Sequence, residues 1–417
     1  NFGLKIDGVE GRGGCGFECS GPFADQLFIL SLVIDGNRLL DATLKIIDHS
    51  KPIYETSVRT DFSGDFLLPG KMILQMLGSG FNLLWQDELN LRMIGQGDFS
   101  MYLDLRKKKL IHTFQSNLYF NITHGRVRIG GASSSLSTGL GQADIRAITY
   151  KDGTPLLDQG RLWYTISVRG RALPHHLQGV FSLDPSVFDI RLEGVIVFDR
   201  GDGLLRNEIS SHIFYDQEKD LWQGLTTGFS AYANPDEQKQ ILAIESQKDP
   251  RFGFSIMKAR PTGIVGDIED SHILYDADAR KWRILTCENH DGYKAVILES
   301  NYWNRDYVKI AGPVAENSTG TSIQKIGNGR YCFAGSSDRK IYIYSYPDLQ
   351  KVGTLNMDLP PWDDNAGTRI WPNVVMVPEG YPSRYVALMM DRYNFPGQQG
   401  PHWSYGALYL YFGYPTD

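Results

Sequence analysis

Acidic residues precede several short apolar segments from about residue 140 onward. Asp144 precedes one such segment, Glu208 a second and Glu269 a third. Cleaving a glycosidic bond requires two carboxyl groups, because one protonates the leaving oxygen while the other activates water or attacks the sugar carbon. Clustered carboxylates also raise a neighbour's pKa toward the pH at which a proton donor works. The pattern therefore predicts acid–base hydrolysis of a glycoside at the point where these acidic residues meet.

Further polar and aromatic side chains occur near the same ends of these and neighbouring segments, and we predict that they bind the substrate. Sugars are held by aromatic rings that have hydrogen-bonding groups beside them. The candidates are Asp270, His212, His272, Arg369, Trp371, Asn373 and His290. For His212 and His272 a structural role between neighbouring sheets is the alternative, and for Trp371 the alternative is packing in the core.

The segments that carry these residues belong to an internal repeat. His212, Tyr215, Asp216, Trp222, Leu225 and Thr226 recur 60 residues later as His272, Tyr275, Asp276, Trp282, Leu285 and Thr286. Each copy reads as a strand, an Asp-rich turn and a second strand that opens on Trp, and weaker copies bring the number of units between about 140 and 417 to five. Hairpins with one apolar face bury that face by stacking around an axis. The repeat therefore predicts a five-bladed β-propeller.

Composition agrees with an all-β fold, since aromatic residues make up 12% of the chain, glycine occurs 44 times and helical periodicity is scarce. Residues 1–110 contain strand-like segments of alternating apolar and polar residues but lack the repeat. They predict a small N-terminal β-sandwich-like accessory domain. Residues 111–140 are expected to connect it to the propeller of residues 141–417, with a strand near 118–122 or 127–129 completing the last blade. Short helical turns are expected over 71–77 and 235–241.

Charge and cysteine usage exclude several classes of protein. The net charge of −6, without a Lys/Arg stripe, argues against nucleic-acid binding. No apolar run is long enough to span a membrane. The four cysteines form neither a disulfide framework nor a zinc motif. We expect no cofactor, while a structural calcium or sodium ion at the centre of the propeller stays open.

A five-unit repeat with an acidic residue entering the first strand of units one, two and three resembles the arabinanase-like propeller glycoside hydrolases, which include family 43 and relatives such as family 137. The resemblance covers about residues 140–417 and implies action on arabinofuranosides of plant polysaccharides. It implies that Asp144 is the general base, Glu208 the second acidic residue and Glu269 the proton donor. Glu208 departs from the usual Asp, so a catalytic pair of Glu208 and Glu269 is the alternative.

Two other functions stay open on the sequence. One is a non-catalytic propeller that binds carbohydrate. The other is a polysaccharide lyase, in which His212, His272 and Arg369 would neutralise a uronate and abstract its proton. An oligosaccharide or polysaccharide is the expected partner in each case, and a protein acting on plant or microbial polysaccharides is expected to be secreted or periplasmic.

Overall fold

The chain is described here from a computed structural model. The described residues are 1–21, 25–60, 68–139, 141–169, 176–230, 236–355, 371–391 and 407–414. They form two compact units, one over Asn1–Gly139 and the other over the described residues from 141 onward. Strands account for nearly all regular structure in both units, which confirms the predicted all-β fold.

The first unit is one curled sheet with a single short helix. Its elements are β1 (Phe2–Ser20), β2 (Gln26–Asp35), β3 (Arg38–Asp48), β4 (Lys51–Ser57), β5 (Gly70–Leu77), β6 (Gly80–Gln86), β7 (Leu91–Asp98), α1 (Lys108–Ile111) and β8 (Gln115–Ser134). The strand order is β4-β3-β2-β1-β5-β6-β7, and β8 pairs with β1. Residues 58–60 bond to both β3 and β7, so the sheet curls toward closure around an apolar core.

Two expectations for this unit are wrong. The predicted helical turn over 71–77 lies in β5, because Met72 and Leu74 alternate into the core as a strand requires. The predicted connecting segment over 111–140 contains β8, which pairs with β1 from Gln115 to Ser134 and therefore does not complete a propeller blade.

In the second unit, the predicted helical turn over 235–241 gives way to a strand from Gln240, and residue 235 lies outside the described residues.

The second unit contains the five predicted sheet modules. Blade 1 contains β9 (Gly141–Ala147), β11 (Leu157–Asp158), β12 (Arg161–Arg169), β13 (Leu177–Asp184), β14 (Asp189–Asp199) and β15 (Leu205–Arg206), while β10 (Thr149–Tyr150) pairs in parallel with the first strand of blade 2. Blade 2 contains β16 (Ile209–Asp216), β17 (Leu221–Thr227), β18 (Gln240–Ser246) and β19 (Gly253–Val265). Blade 3 contains β20 (Ile268–Asp276), β21 (Lys281–Asn289), β22 (Tyr293–Ser300) and β23 (Val308–Ala311). Blade 4 contains β24 (Thr319–Ile326), β25 (Gly329–Gly335), β26 (Ile341–Ser345) and β27 (Lys351–Thr354), and blade 5 contains β28 (Asn373–Met376), β29 (Tyr385–Asp391) and β30 (Ala407–Gly413).

The repeat motif builds blades 2 and 3 in the same way. Tyr215 pairs with Trp222 across the β16–β17 hairpin, and Tyr275 pairs with Trp282 across the β20–β21 hairpin. Both tryptophans are buried. Blades 1 and 2 share one 11-stranded sheet, because 194–199 of β14 pair in parallel with 253–258 of β19.

Buried hydrogen bonds between inner strands close the ring of blades. Thr165 of blade 1 donates to the backbone carbonyl of Ser211 in blade 2. Thr321 of blade 4 donates to the carbonyl of Asp270 in blade 3 at 2.8 Å. The side chain of Asn373 in blade 5 bonds to the backbone of blade 1, donating to a carbonyl and accepting the N–H of Ala147. Asn373, predicted to bind substrate, is thus a buried link between the last blade and the first.

Replacing Asn373→Ala should lower the free energy of unfolding by about 2–4 kcal/mol, because it leaves a buried carbonyl and a buried N–H without partners. The denaturant midpoint of the propeller, followed by tryptophan fluorescence, measures this. Gln217→Ala, at an exposed turn, is the control and should leave the midpoint unchanged. Equal midpoints for both variants would contradict the proposed link.

Candidate active site

A bulge recurs at the start of four inner strands. The register of β9, β16, β20 and β24 against the next strand shifts at one point in each blade. The residue at that point has a left-handed backbone: Asp144 (φ 56°), Ser210 (φ 58°), Asp270 (φ 65°) and Gly320 (φ 60°). This conformation costs a residue other than glycine about 1–2 kcal/mol, so its repetition at Asp144, Ser210 and Asp270 marks this end of the ring as a candidate functional site.

Asp144 is buried, with 4% of its surface exposed, and forms an ion pair with Arg169. The Arg169 Nη2 atom lies 3.2 Å from one carboxylate oxygen of Asp144. Burial raises the pKa of Asp144; Arg169 opposes this, and the negative charge of Asp270 adds to it.

Asp270 connects three blades through its carboxylate. Oδ1 accepts a hydrogen bond from Ser210 Oγ at 2.9 Å. Oδ2 accepts one from Thr319 Oγ1 at 2.9 Å and one from the backbone N–H of Gly320 at 2.8 Å. Asp270, predicted to bind substrate, is almost fully buried and occupies in blade 3 the bulge position that Asp144 occupies in blade 1.

Glu208 is completely buried next to Ser230. The backbone N–H of Ser230 donates to one oxygen of Glu208 at 2.8 Å, and its hydroxyl donates to the other at 2.5 Å. Arg206 donates to the same hydroxyl oxygen at 3.1 Å. Burial raises the pKa of Glu208, although the bonds from Ser230 work in the other direction.

Glu269 lies at the rim of blade 3 within a group of donors. Lys239 Nζ lies 2.6 Å from a carboxylate oxygen of Glu269, and the Tyr293 hydroxyl donates to the same oxygen at 3.1 Å. Both also bond to Asp267, at 2.9 Å from Lys239 and 2.7 Å from Tyr293. Burial alone would raise the pKa of Asp267, but hydrogen bonds from Tyr293, Asn289 and Lys239 outweigh it and lower that pKa to about 2.

This rim is open to solvent at blade 3. The side chain of Asp267 is 47% exposed and that of Glu269 10% exposed. His290, predicted to bind substrate, lies on the hairpin that follows β21; its side chain is 45% exposed and its Nε2 is 2.9 Å from Glu288. Of the predicted site residues that the structure describes, His290 is the most exposed.

The two predicted histidines lie inside the ring. His212 and His272 stack with centroids 3.9 Å apart and are at most 1% exposed. The Nδ1 atom of His212 accepts the backbone N–H of Ile273, and its Nε2 lies 3.3 Å from Thr149 Oγ1. Burial lowers the pKa of His212 to about 3. The contacts of His212 are those of a packing residue. Neither ring nitrogen of His272 has a hydrogen-bond partner among the described residues, but the ring is buried against His212 and away from solvent.

Trp371 is also buried rather than exposed as a sugar platform. The Arg146 guanidinium lies 5.0 Å from the Trp371 ring centroid. A Cβ atom on Gly320 would come within 2.8 Å of the same ring, which explains the glycine at the fourth bulge. Arg369 lies outside the described residues.

The centre of the ring does not suit a cation. The fully buried Arg146 crosses it and donates to the carbonyl of Asp270 at 2.6 Å and to that of Thr321. Its positive charge disfavours a calcium or sodium ion nearby. Elsewhere in the described residues, ligand atoms of Glu269, Asp270 and Cys287 lie close enough together to bind a metal ion. However, Glu269 is paired with Lys239, and the Asp270 carboxylate already accepts three hydrogen bonds.

Sequence reasoning missed the groups that partner the carboxylates. Arg169 and Lys239 supply the cations, and Ser230 and Tyr293 supply the hydroxyls. None of these belongs to the repeat that identified the blades. Arg169 is the exception that a signal could have found, because it ends a strand whose partner strand contains Asp144.

Comparisons with known proteins found solved glycoside hydrolase structures of low similarity to this chain. No protein-family model matches the chain, and no curated protein matches it in sequence. A GH43_1 enzyme from Xanthomonas citri in complex with xylotriose is similar in structure, with a TM-score of 0.45 and 11% identity over 66% of this chain and 87% of that one. A thermostable family-43 glycoside hydrolase is similar with a TM-score of 0.43 and 13% identity, over 66% of this chain and 95% of that one.

The α-L-arabinofuranosidase of Podospora anserina in complex with cellotriose gives a TM-score of 0.41 and 8% identity over 65% of this chain and 89% of that one. The similar structures thus come from the group that the sequence resembles. Because the identities and TM-scores are low, the reaction has to be argued from the side chains of this chain. Among the described residues, no helix has the length and apolarity that crossing a membrane requires.

The raised pKa of Glu208 predicts a pH-dependent effect of Glu208→Gln. The folded protein holds the proton of Glu208 more tightly than the unfolded chain, whose glutamates titrate near 4.5. The stability gained from this is complete below that pH and is lost as the pH rises through the raised pKa. Gln stays uncharged at every pH. The unfolding midpoint of Glu208→Gln minus that of the parent chain should therefore increase as the pH is raised from about 4 to about 8.

Glu218→Gln is the matched control, since the Glu218 side chain is 78% exposed. The difference between its unfolding midpoint and that of the parent chain should vary little over the same pH range. A Glu208→Gln difference that is constant with pH would contradict the assignment of a buried carboxyl with a raised pKa.

Proposed function

We propose that the chain hydrolyses O-glycosidic bonds of a plant or microbial oligosaccharide or polysaccharide, with an arabinofuranosidase-like preference, at the end of the ring that carries the four bulges. The observation that carries the proposal is the placement of two buried carboxylates, Asp144 and Asp270, at equivalent bulges of blades 1 and 3, with Arg169 paired to Asp144. Acid–base cleavage of a glycoside needs a pair of carboxyl groups, and burial raises the pKa of Asp144.

Asp144 is suited to the role of general base. A base works best when its pKa lies near the working pH, and burial together with Asp270 moves the pKa of Asp144 upward from its ordinary value. Arg169 keeps the ionised form accessible by pairing with it at 3.2 Å. In the proposed reaction Asp144 takes a proton from water while the water oxygen bonds to the sugar carbon.

Glu269 is the proposed proton donor to the leaving oxygen. It keeps more side-chain exposure than Asp144, and it adjoins the open rim formed by Asp267 and His290. Before the transfer Glu269 is a neutral carboxylic acid with the proton on Oε1, the oxygen that Lys239 and Tyr293 do not contact. As the bond between the sugar carbon and the leaving oxygen breaks, that oxygen receives the proton, and Lys239 and Tyr293 stabilise the carboxylate that results.

Glu208 and Asp270 are proposed as supporting carboxylates. Glu208 is completely buried behind Ser230, and Asp270 is nine-tenths or more buried and fully hydrogen-bonded within the ring. Neither presents an oxygen to solvent, so each acts on the reaction through the charge and position of Asp144 or Glu269. A secreted or periplasmic location is part of the same proposal, since polysaccharide substrates lie outside the cytoplasm.

The burial of all four carboxylates favours one second candidate, a non-catalytic propeller that binds carbohydrate. At most 7% of any of these residues is exposed, and each has a partner within the protein. Under this second candidate the network only stabilises the ring, and sugar binds to the rim of blade 3.

Asp144→Asn and Glu269→Gln should each lower kcat by about 10³-fold or more, and Glu208→Gln and Asp270→Asn by about 10–100-fold. The difference arises because the first two residues exchange protons with the reacting atoms. Release of reducing ends from arabinan, xylan and an aryl arabinofuranoside measures the effect. Glu218→Gln is the control and should retain full turnover.

Three outcomes would contradict the proposal. Full turnover in both Asp144→Asn and Glu269→Gln would remove the catalytic assignment. Absence of reducing ends from all substrates, with binding retained by every variant, would favour the non-catalytic propeller. An ultraviolet-absorbing unsaturated product would indicate a lyase instead.

A further inference from the structure

Strand β8 of the first unit is long and exposed on both faces. It runs over 20 residues along β1, and almost all of its residues are exposed or half-buried. Leu118 and Phe120 keep 41% and 38% of their surface exposed. Large apolar side chains on an exposed strand mark a protein interface or an aggregation site.

The outer edge of β8 has no strand beside it within the described residues. One edge of β1 pairs with β5 and then β2, and its other edge pairs with β8 along its full length. The side of β8 that faces away from β1 pairs with no described strand. In an antiparallel pair every second residue turns both its N–H and its C=O away from its partner, so β8 presents a row of unpaired backbone groups.

The first part of β8 lacks the features that usually protect an edge strand. Residues 115–122 pair with β1 without a register shift; shifts and left-handed glycines occur only from residue 123 onward. The segment 115–122 reads QSNLYFNI and contains no charged residue, proline or glycine. Natural edge strands avoid such segments by using charges, proline or bulges.

We propose that segment 115–122 of β8 pairs antiparallel, edge to edge, with the same segment of a second copy of this chain. An antiparallel self-pair has two-fold symmetry, so one segment supplies both halves of the interface. Because the segment is uncharged, identical copies meet without repulsion. The nearest charge beyond it in β8, Arg126, is already neutralised by Glu10 of its own chain through two hydrogen bonds of 2.8 and 3.0 Å.

Charge also favours a second copy over a different partner. A basic or acidic peptide would find no opposite charge along 115–122, whereas a copy of the segment matches it with apolar side chains on the face of Leu118 and Phe120 and with uncharged polar ones on the other face. The paired segment is only eight residues long, so we expect a concentration-dependent dimer rather than a permanent one.

Sedimentation of the full chain over a concentration series tests the pairing. The parent chain should shift from one to two copies per particle, and Leu118→Lys and Phe120→Lys should stay at one copy up to at least tenfold higher concentration. Ile53→Lys is the matched control, because Ile53 is 46% exposed on β4 of the same sheet, and it should dimerise like the parent. Circular dichroism checks that each variant is folded.

Disulfide trapping gives a second measurement that does not depend on disruptive variants. Single cysteines at Asn117, Tyr119 and Asn121 face no native cysteine directly across β1, and at least one should form a covalent dimer under mild oxidation. Glu55→Cys on β4 should not. A chain that stays monomeric at all concentrations, a dimer that survives both β8 lysine variants, or crosslinks at residue 55 instead of β8 would each overturn the proposal.

Discussion

The ring depends on how one residue, Asp270, is held between its neighbours. Its carboxylate accepts hydrogen bonds from blades 2 and 4, and its backbone carbonyl accepts the Arg146 guanidinium of blade 1. Asp270 makes these bonds from a left-handed backbone conformation, and blade 4 reaches both its carboxylate and its carbonyl. Four of the five blades thus meet at a single amino acid, and the strain at this bulge is offset by buried, charge-assisted bonds.

The same arrangement decides where charge can be used. Buried ions are costly unless they are paired, and each carboxylate at this end of the ring has its own partner: Arg169 for Asp144, Lys239 for Glu269 and Ser230 for Glu208. The partners come from the ends of second and third strands and from the segments beyond them. Inner strands therefore supply the acids, outer strands and connections supply the groups that tune them, and the rigid blades keep the two sets in register.

The repeat made the propeller predictable, because Tyr215–Trp222 and Tyr275–Trp282 lie at a constant offset and build the same hairpin twice. It also located the end of the ring where acidic residues gather. Two things escaped it. At a bulge the side chains no longer alternate regularly between the two faces of the sheet. Asp270, which lies at the bulge of blade 3, is therefore the counterpart of Asp144 at the bulge of blade 1, whereas Glu208 precedes the bulge of blade 2. In the first unit, β8 carries no signal for its partner, since pairing over 95 or more residues of sequence separation leaves no local pattern.

The fusion of the first two blades has a consequence for how such a ring can change its size. In blades 3 and 4 each four-stranded sheet ends on an outer strand that pairs only within its own blade, so inserting a further blade beside them would break no strand pairing among the described residues. Blade 2 has no such freedom. Removing it would strip β14 of its parallel neighbour along 194–199 and expose an unpaired edge, so the first two blades can be inherited, copied or deleted only together.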